Sequence, residues 1–250
     1  MNAREHFHLA VRPEFAAGAY GRFDSDISFY NRVNALIGPD SVILEYGAGR
    51  GSFLDDPSHY RRTLRALKGK ARKVVGCDID AAVLENQSVD ERHVIQPNAR
   101  LPFEDGTFDL VTCDWVIEHI EDPDGFETEI RRILKPGGWF CARTPNKWGM
   151  TGLGVRLVPD WLEKKVLSAV WPERSDEDVF PKYYRLNSWP ALTKHFPQNR
   201  WLNASYGYGG EPKYHANNRL LFRLMSLWNA IAPEFMATDL LIFMQKRDVA

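Results

Sequence analysis

Short apolar runs alternate with amphipathic segments along the chain as far as about residue 146. Apolar runs of four to eight residues between turn residues are typical of buried strands. Such runs predict strands at 41–46, 73–78, 92–96, 108–113 and 138–143. Apolar residues that recur every three or four positions predict helices at 26–37, 52–68, 80–88 and 123–135. This alternation indicates an α/β fold with a doubly wound, mostly parallel sheet.

The pattern changes beyond residue 146. Residues 147–200 lose the alternation and are rich in Trp, Pro, Lys and Glu. They predict an inserted subdomain on the substrate side, before the penultimate strand, with helix at 150–170 and a loop at 177–185 that packs back toward the site. Residues 1–38 predict an N-terminal arm followed by the first helix. We expect the whole chain, residues 1–250, to form a single domain with these two elaborations.

A further helix, rich in apolar residues, is predicted at 218–231. Its apolar residues are Leu220, Leu221, Leu224, Met225, Leu227, Trp228 and Ile231. They favour a helix that packs on the sheet or against a second copy of the chain in a homodimer. The alternative is a surface that meets a lipid-linked acceptor.

Composition and charge narrow the class of protein. With 250 residues, of which 44% are hydrophobic, the chain can bury one sizeable core and an elaboration. A formal net charge of −1 gives it no general attraction to nucleic acid or to anionic membranes. No apolar run is long enough for a membrane-spanning helix, and the first residues do not resemble a signal peptide. We therefore expect a cytoplasmic protein without an integral membrane segment.

The three cysteines, Cys77, Cys113 and Cys141, each fall in a predicted strand. An odd number of cysteines without C-x-x-C spacing predicts reduced thiols in the core. We expect neither a disulfide framework nor a metal site.

The first strand runs directly into a glycine turn. Val42, Ile43 and Leu44 are followed by Glu45-Tyr46-Gly47-Ala48-Gly49-Arg50-Gly51. Glycine can adopt positive φ and lets a ligand approach the backbone where a Cβ would push it away. The spacing differs from the dinucleotide-binding G-x-G-x-x-G, whose third glycine would fall at Ser52.

Three further motifs follow in order. The second strand ends in Asp78, a carboxylate suited to accept hydrogen bonds from the two hydroxyls of a ribose, and Asp80 predicts a helix cap. Leu101-Pro102-Phe103 forms a turn that leads toward the fourth strand. The fourth motif, Leu134-Lys135-Pro136-Gly137-Gly138, ends a helix before the fifth strand.

This series of motifs resembles the class I S-adenosylmethionine-dependent methyltransferases, in particular their small-molecule, type 11-like branch. The resemblance covers about residues 35–146 closely. It implies a seven-stranded sheet in which a penultimate strand at 201–208 and an antiparallel last strand at 238–246 complete the fold. It also implies S-adenosylmethionine as the cofactor and S-adenosylhomocysteine as its product.

The resemblance also implies which residues bind this cofactor. Glu45 would position the methionine part, and the backbone of Gly47, Ala48 and Gly49 would lie against it. Asp78 would accept from the ribose hydroxyls.

Other expected contacts lie around the adenine. Ile79 would pack on its face. The residue for the adenine amine falls on Pro97 or Asn98, and we choose Asn98, with Ala99 beside it, because an amide oxygen can accept a hydrogen bond. Asp114 and Trp115 end the fourth strand where the pocket opens, and Trp115 would cover the cofactor or fill the core.

Methyl transfer from a sulfonium requires mainly that donor and acceptor are held in line and shielded from water. The candidates for a general base are His119, Tyr183 and His215. An alternative role for His119 is to fix the turn before Asp122 and Pro123.

The residues at the end of the fourth strand limit the class of methyl acceptor. Methyltransferases of nucleic-acid bases usually carry an Asn/Asp-Pro-Pro-Tyr tetrad there, but this chain reads Cys113-Asp114-Trp115-Val116. We therefore expect no nucleic-acid partner and a small organic, sugar or lipid-linked acceptor, with O-methylation favoured. The alternatives are a nicotinamide-dependent oxidoreductase of the same topology and a non-catalytic protein that retains the cofactor fold.

Overall fold

The structure, a computed structural model, describes residues 3–150, 152, 181–212 and 215–248. The strands are β1 Val42–Tyr46, β2 Lys73–Asp78, β3 Glu91–Val94, β4 Phe108–Asp114, β5 Leu134–Pro145, β6 Trp201–Asn203, β7 Tyr206–Tyr208 and β8 Asp239–Lys246. The helices are α1 Ala3–Val11, α2 Ser25–Leu36, α3 His59–Arg65, α4 Pro123–Ile133, α5 Trp189–His195 and α6 Arg219–Ile231. Short 3-10 turns lie at Pro13–Ala16, Ser52–Asp55, Ala81–Glu85, Ile117–His119 and Glu234–Met236.

All of these strands belong to one sheet, in the order β3-β2-β1-β4-β5-β8-β6, with β7 also paired to β8. The pairs among β1 to β5 are parallel, and β8 is antiparallel to β5. The predicted α/β fold and mostly parallel sheet are confirmed. The order of the strands reverses between β1 and β4, which is where ligands bind in open sheets of this kind.

The predicted strand at 201–208 is two strands. β6 pairs with the end of β8 and β7 with its beginning. Between them, the Ser205 side chain takes the place of a backbone acceptor, because its hydroxyl oxygen accepts from the Phe243 amide at 3.0 Å. Among the described residues the sheet therefore contains eight strands, because the expected penultimate strand is divided in two.

Two predicted helices are shorter than their periodicity suggested. The segment 52–68 contains a 3-10 turn and then α3, whose first turn is capped by Ser58. The segment 80–88 contains only the 3-10 turn Ala81–Glu85, capped by Asp80. It ends at Asn86, a fully buried residue whose side chain is directed to the glycine turn.

Neighbouring residues of each strand pack on opposite faces of the sheet, as the pleat requires. Leu44 and Val75 belong to a core cluster that includes α4, and Ile43 and Val74 belong to a second cluster that includes α2. All three cysteines are buried free thiols, as predicted.

A buried ion network joins α2 to the carboxyl ends of β4 and β5. The Arg143 side chain, only 1% exposed, donates from Nε to Asp114 at 2.7 Å and from Nη2 to Asp26 at 2.7 Å. Arg65 of α3 adds a bond to Asp26 at 3.1 Å. The Tyr30 hydroxyl donates to Asp114 at 3.2 Å. These charges fix α2 against the edge of the sheet that is formed by the carboxyl ends of β4 and β5.

The predicted insertion is described only in part. Its expected helix at 150–170 lies outside the described residues apart from positions 150 and 152. Of the expected loop at 177–185, residues 181–185 are described, and the amides of Tyr183 and Tyr184 donate to the Glu118 carbonyl. The single domain and the boundaries of the insertion remain predictions. Within the described ranges, no helix combines the length and apolar character needed to cross a bilayer.

We expect Arg143→Met to lower the free energy of unfolding by about 3 kcal/mol, because it leaves buried carboxylates without their main partner. The matched control is Lys135→Met. Lys135 pairs with Asp109 at 2.7 Å but is 37% exposed, so its loss should cost at most about 1 kcal/mol. Urea unfolding measures both, and equal effects would show that the buried network contributes no more than a surface pair.

Candidate cofactor site

The glycine turn is held against the end of β2 by backbone hydrogen bonds. The amides of Gly47 and Ala48 both donate to the Cys77 carbonyl, at 2.8 and 3.1 Å. Gly47 has φ +76°, and a Cβ there would lie 2.2 Å from Val116. Gly49 has φ +48°, and a Cβ there would meet no atom within 4 Å. Gly47 therefore allows the turn to pack against the protein, whereas Gly49 faces open space that a ligand can enter.

Asn86 supports the same turn from beneath. Its side-chain NH2 donates to the carbonyls of Ala48 and Gly49, both at 3.0 Å. Its Oδ1 accepts from the amide and hydroxyl of Ser88 at 2.8 and 2.6 Å. Every polar atom of this buried amide is thus bonded, and the turn is rigid before any ligand arrives. The sequence analysis missed this residue because it fell within a predicted helix.

Asp78 lies directly beside the turn. Its Oδ2 accepts from the Gly49 amide at 2.8 Å, and its Oδ1 accepts from the Asp80 amide at 3.0 Å. A carboxylate oxygen can accept more than one hydrogen bond, and the side chain is only half-buried. The structure therefore brings together the two predicted halves of the cofactor site.

Glu45 ends β1 and is directed toward the ion network. It accepts no hydrogen bond from the described residues. Burial raises the pKa of its carboxyl to about 8; the charge of Arg65 opposes this rise, and that of Asp114 adds to it. An acid that lacks a partner next to a glycine turn fits a cationic part of a ligand.

The expected adenine contacts lie at the surface on the other side of Asp78. Ile79, an apolar residue between Asp78 and Asp80, is 43% exposed. Asn98 has φ +56° and is exposed, as is Ala99. The Ile95 amide donates to the Asp78 carbonyl at 2.8 Å, so the segment that carries these residues leaves the sheet beside the acid.

Asp114 ends β4, and Trp115 follows it. Both oxygens of Asp114 are bonded within the protein, to Arg143 and to the Tyr30 hydroxyl, so its side chain positions other groups. Trp115 has φ +58°, and its ring lies 4.8 Å from the Arg143 guanidinium. The left-handed backbone directs the ring away from the line of the strand.

The predicted bases do not come together. His119 Nδ1 lies 2.7 Å from the Pro181 carbonyl oxygen, which ties the insertion to the turn after β4. Tyr183 is 40% exposed. His215 is buried and stacks on Phe7 of α1, with ring centroids 4.5 Å apart, a contact between the N-terminal helix and the segment before α6.

A buried acid that the sequence analysis did not select lies next to His119. The Thr144 hydroxyl donates to Glu118 Oε2 at 2.8 Å, and Asn187 Nδ2 donates to the Thr144 oxygen at 2.6 Å. Burial raises the pKa of Glu118, and the bond from Thr144 lowers it in part. Val116, two residues before Glu118, packs against Gly47 of the glycine turn. Glu118 directly precedes His119, and this Glu-His pair was the sequence signal that could have identified the acid.

An apolar cavity of about 470 Å³ opens at the same edge of the sheet, beyond the end of β5. It is lined by Trp148, Trp189, Pro190 and Phe235. Trp189 follows Asn187 of the hydrogen-bonded chain by two residues, so the cavity and the buried acid lie on the same side of the molecule.

Part of the chain is similar to known proteins. Residues 44–142 match the family described as "Methyltransferase domain". A probable S-adenosylmethionine-dependent methyltransferase of Mycolicibacterium smegmatis is 36% identical over 110 residues, covering 42% of this chain and 38% of that protein. A ubiquinone biosynthesis O-methyltransferase of Burkholderia ambifaria is 30% identical over 90 residues, covering 33% of this chain and 39% of that protein. The chain thus spans less than half the length of these relatives.

Solved structures share the fold at low sequence identity. A putative methyltransferase of Haloferax volcanii, in complex with the Trm112 activator, has a TM-score of 0.52 at 16% identity and covers 99% of this chain and 95% of its own. Geranyl diphosphate C-methyltransferase of Streptomyces coelicolor, solved with S-adenosyl-L-homocysteine, has a TM-score of 0.52 at 14% identity. The match covers 90% of this chain and 77% of that protein.

The matched residues include the glycine turn, Asp78 and the end of β4. The open space at Gly49 fits S-adenosylmethionine, and so does the Glu45 carboxyl, which accepts no hydrogen bond from the described residues. Residues 44–142 are therefore similar to the methyltransferase domains of this family.

Proposed function

We propose that the protein transfers the methyl group of S-adenosylmethionine to a small organic, sugar or lipid-linked acceptor, with oxygen as the favoured target atom. The observation that carries this proposal is the 2.8 Å bond between the Gly49 amide and Asp78. It joins an accessible backbone turn to an acid that has remaining acceptor capacity, and this pair suits a nucleoside with a ribose and a charged tail.

Within this proposal, Asp78 accepts from the ribose hydroxyls, and Ile79, Asn98 and Ala99 border the adenine. The exposure of these last three residues supports that assignment. Trp115 forms part of the wall on the far side of the turn.

The other half of the pocket takes the methionine part. The backbone of Gly47, Ala48 and Gly49 lies along it, and Glu45 accepts from its ammonium group. Asp114 acts indirectly, because it holds Arg143 and thereby the backbone of Trp115.

Bound S-adenosylmethionine would supply the methyl group, and its sulfur would keep the electron pair of the broken carbon–sulfur bond. The residues of the chain have to hold the acceptor in line with that bond, exclude water and accept the proton that an acceptor hydroxyl loses. We propose Glu118 as the group that accepts this proton. Its orientation is fixed by Thr144 and Asn187, and its elevated pKa makes it a stronger base than an exposed carboxylate.

The three bases predicted from the sequence are supported less well. The contact between His119 and Pro181 gives that ring a structural task, and His215 packs between α1 and α6. Tyr183 lies at the surface of the loop that covers Glu118 and is the one that could still border the acceptor.

The apolar cavity favours an acceptor with an aromatic or lipid-like part. Two similar proteins are named for ubiquinone biosynthesis and for geranyl diphosphate, and both names are consistent with such an acceptor. A panel of phenols, sugars, amines and detergent-solubilised isoprenoid phenols, incubated with methyl-labelled cofactor, tests the proposal. Labelled product from a phenol or isoprenoid phenol is expected, and labelling of amines alone would contradict O-methylation.

We expect Asp78→Ala to weaken binding of S-adenosylhomocysteine about 10- to 100-fold, because hydrogen bonds to a charged group are lost. Calorimetric titration measures the dissociation constant. The matched control is Asp80→Ala, since the Asp80 carboxylate caps the following turn at Ala82 and its loss should change affinity less than about threefold. Unchanged affinity in the Asp78 variant would refute the ribose assignment.

We expect affinity for S-adenosylhomocysteine to rise with pH because of Glu45, whose pKa is about 8 without ligand. A bound ammonium group favours the ionised carboxylate, so between about pH 6 and pH 8 affinity should increase by up to about tenfold per pH unit. Titrations in buffers of different ionisation enthalpy count the proton released. Glu45→Gln should bind S-adenosylhomocysteine more weakly near pH 8, and its affinity should not change with pH. If the affinity of Glu45→Gln still rises with pH, another group causes the pH dependence.

We expect Glu118→Gln to lower kcat about 100-fold or more on whichever phenol of the panel is methylated, because the proton acceptor is removed. Its affinity for S-adenosylhomocysteine should stay within about twofold of the unmodified protein, since Glu118 lies on the acceptor side. The comparison variant is His119→Asn. Loss of turnover in His119→Asn with retention in Glu118→Gln would identify the histidine as the base.

A further inference from the structure

The outer face of α6 consists of large apolar side chains that are exposed. Leu220, Leu224 and Leu227 are 67%, 55% and 59% exposed, and Ile231 is 70% exposed. These positions recur every three or four residues, so they lie on one side of the helix. Trp228, 37% exposed, lies on the same side. An ordinary surface helix would carry polar residues there.

The orientation of this helix is fixed by its inner side. Phe222 and Met225 are buried, and Phe222 packs edge to face against His215, with centroids 5.4 Å apart. Asn229 donates to the Gly210 carbonyl at 2.7 Å and accepts from Thr238 at 3.1 Å. Rotation that would bury the leucines would break these contacts, so the apolar face is committed to the outside.

Two cations flank the apolar face. Arg219 and Arg223 are exposed, and neither forms an ion pair with any residue in the described part of the chain. α6 itself contains no Asp or Glu. The acids that flank the helix in sequence have other partners: Glu211 pairs with Arg12, and Glu234 accepts from the Gly207 amide at 3.0 Å. The cations therefore lack a negative partner on this surface.

The helix lies near the opening of the proposed site. Thr238, which binds Asn229, directly precedes β8, and Asp239 of that strand pairs with Pro145 at the carboxyl end of β5. Phe235, which lines the apolar cavity, follows the helix by four residues and is 57% exposed. Apolar surface thus occurs on the helix and beside the cavity at one edge of the molecule.

We propose that the outer face of α6 binds the surface of a bilayer that contains anionic lipids. The leucines and Ile231 would enter the boundary between headgroups and acyl chains, and Arg219 and Arg223 would bind lipid phosphates. The helix has 13 residues, so at about 1.5 Å per residue it is too short to span a bilayer and would lie in its plane.

Charge favours lipid over a second copy of the chain. Two copies joined through this face would bring four arginines to an interface to which α6 contributes no carboxylate. Lipid phosphates supply the missing negative charge and accept bidentate bonds from guanidinium groups. The net charge of the chain, −1, does not oppose this, because screening limits attraction to charges within about 10 Å of the membrane.

Co-sedimentation with vesicles tests the proposal without any knowledge of the acceptor. One vesicle preparation is phosphatidylcholine alone, and the other replaces about a quarter of it with phosphatidylglycerol. We expect the full chain to partition at least about tenfold more strongly onto the anionic vesicles at low salt, and this preference should shrink as salt is raised.

Variants separate the two parts of the interaction. Leu224→Gln with Leu227→Gln should lower binding to anionic vesicles about tenfold or more, whereas Arg219→Gln with Arg223→Gln should remove the preference for them. Leu202→Gln is the matched control, since Leu202 is 45% exposed on β6, and it should bind as the unmodified chain does. Unchanged affinity for S-adenosylhomocysteine shows that each variant is folded.

Two results would overturn the proposal. One is equal or absent partitioning onto both vesicle types. The other is a dimer, detected by light scattering, that the two-leucine variant dissociates, because the face would then be covered by a second copy of the chain.

Discussion

The carbonyl oxygen of Cys77 receives two backbone hydrogen bonds from the turn after β1, and the site depends on this contact. It joins the carboxyl ends of β1 and β2, and β1 is one of the two strands between which the strand order reverses. The Asn86 amide and the Asp78 carboxylate bond the same turn from two other directions. A loop held in this way keeps its ligand-facing backbone in place before binding, so little ordering entropy opposes binding.

A second constraint acts at the carboxyl ends of β4 and β5. Arg143, almost fully buried at the end of β5, fixes Asp114 and Asp26 and thus holds α2 over the edge of the sheet. Burial raises the pKa of Glu45, and two charges of the same network modify it: Arg65 lowers it and Asp114 raises it. The packing of α2 and the protonation of Glu45 are therefore coupled through a few buried charges. Substitutions of these charged residues should affect both the stability of the fold and the binding of the cofactor.

The sequence was sufficient for the strands, because β1, β2 and β4 are buried on both faces and appear as continuous apolar runs. It also indicated that Gly49 and Asp78 lie together, because the carboxyl ends of neighbouring parallel strands meet at one edge of the sheet. It did not show Asn86, since the choice between a helix and a short turn depends on a tertiary contact. Nor did it show the chain from Asn187 to Glu118, whose members are brought together from positions 69 residues apart in the sequence only by the fold.

The role of α6 was left open between packing, dimerisation and contact with a lipid-linked acceptor. The periodicity of the apolar residues alone cannot distinguish these three roles, because it does not show which side of the helix faces the protein. The structure divides the apolar residues between the two faces and shows that Phe222 and Met225 already cover the inner one.

Titration of the purified chain with S-adenosylhomocysteine and, separately, with NAD⁺ tests the central claim most directly. An accessible glycine turn joined to Asp78 predicts saturable binding of S-adenosylhomocysteine at one site per chain and no binding of NAD⁺. Binding of NAD⁺, or no measurable heat with S-adenosylhomocysteine, would contradict it.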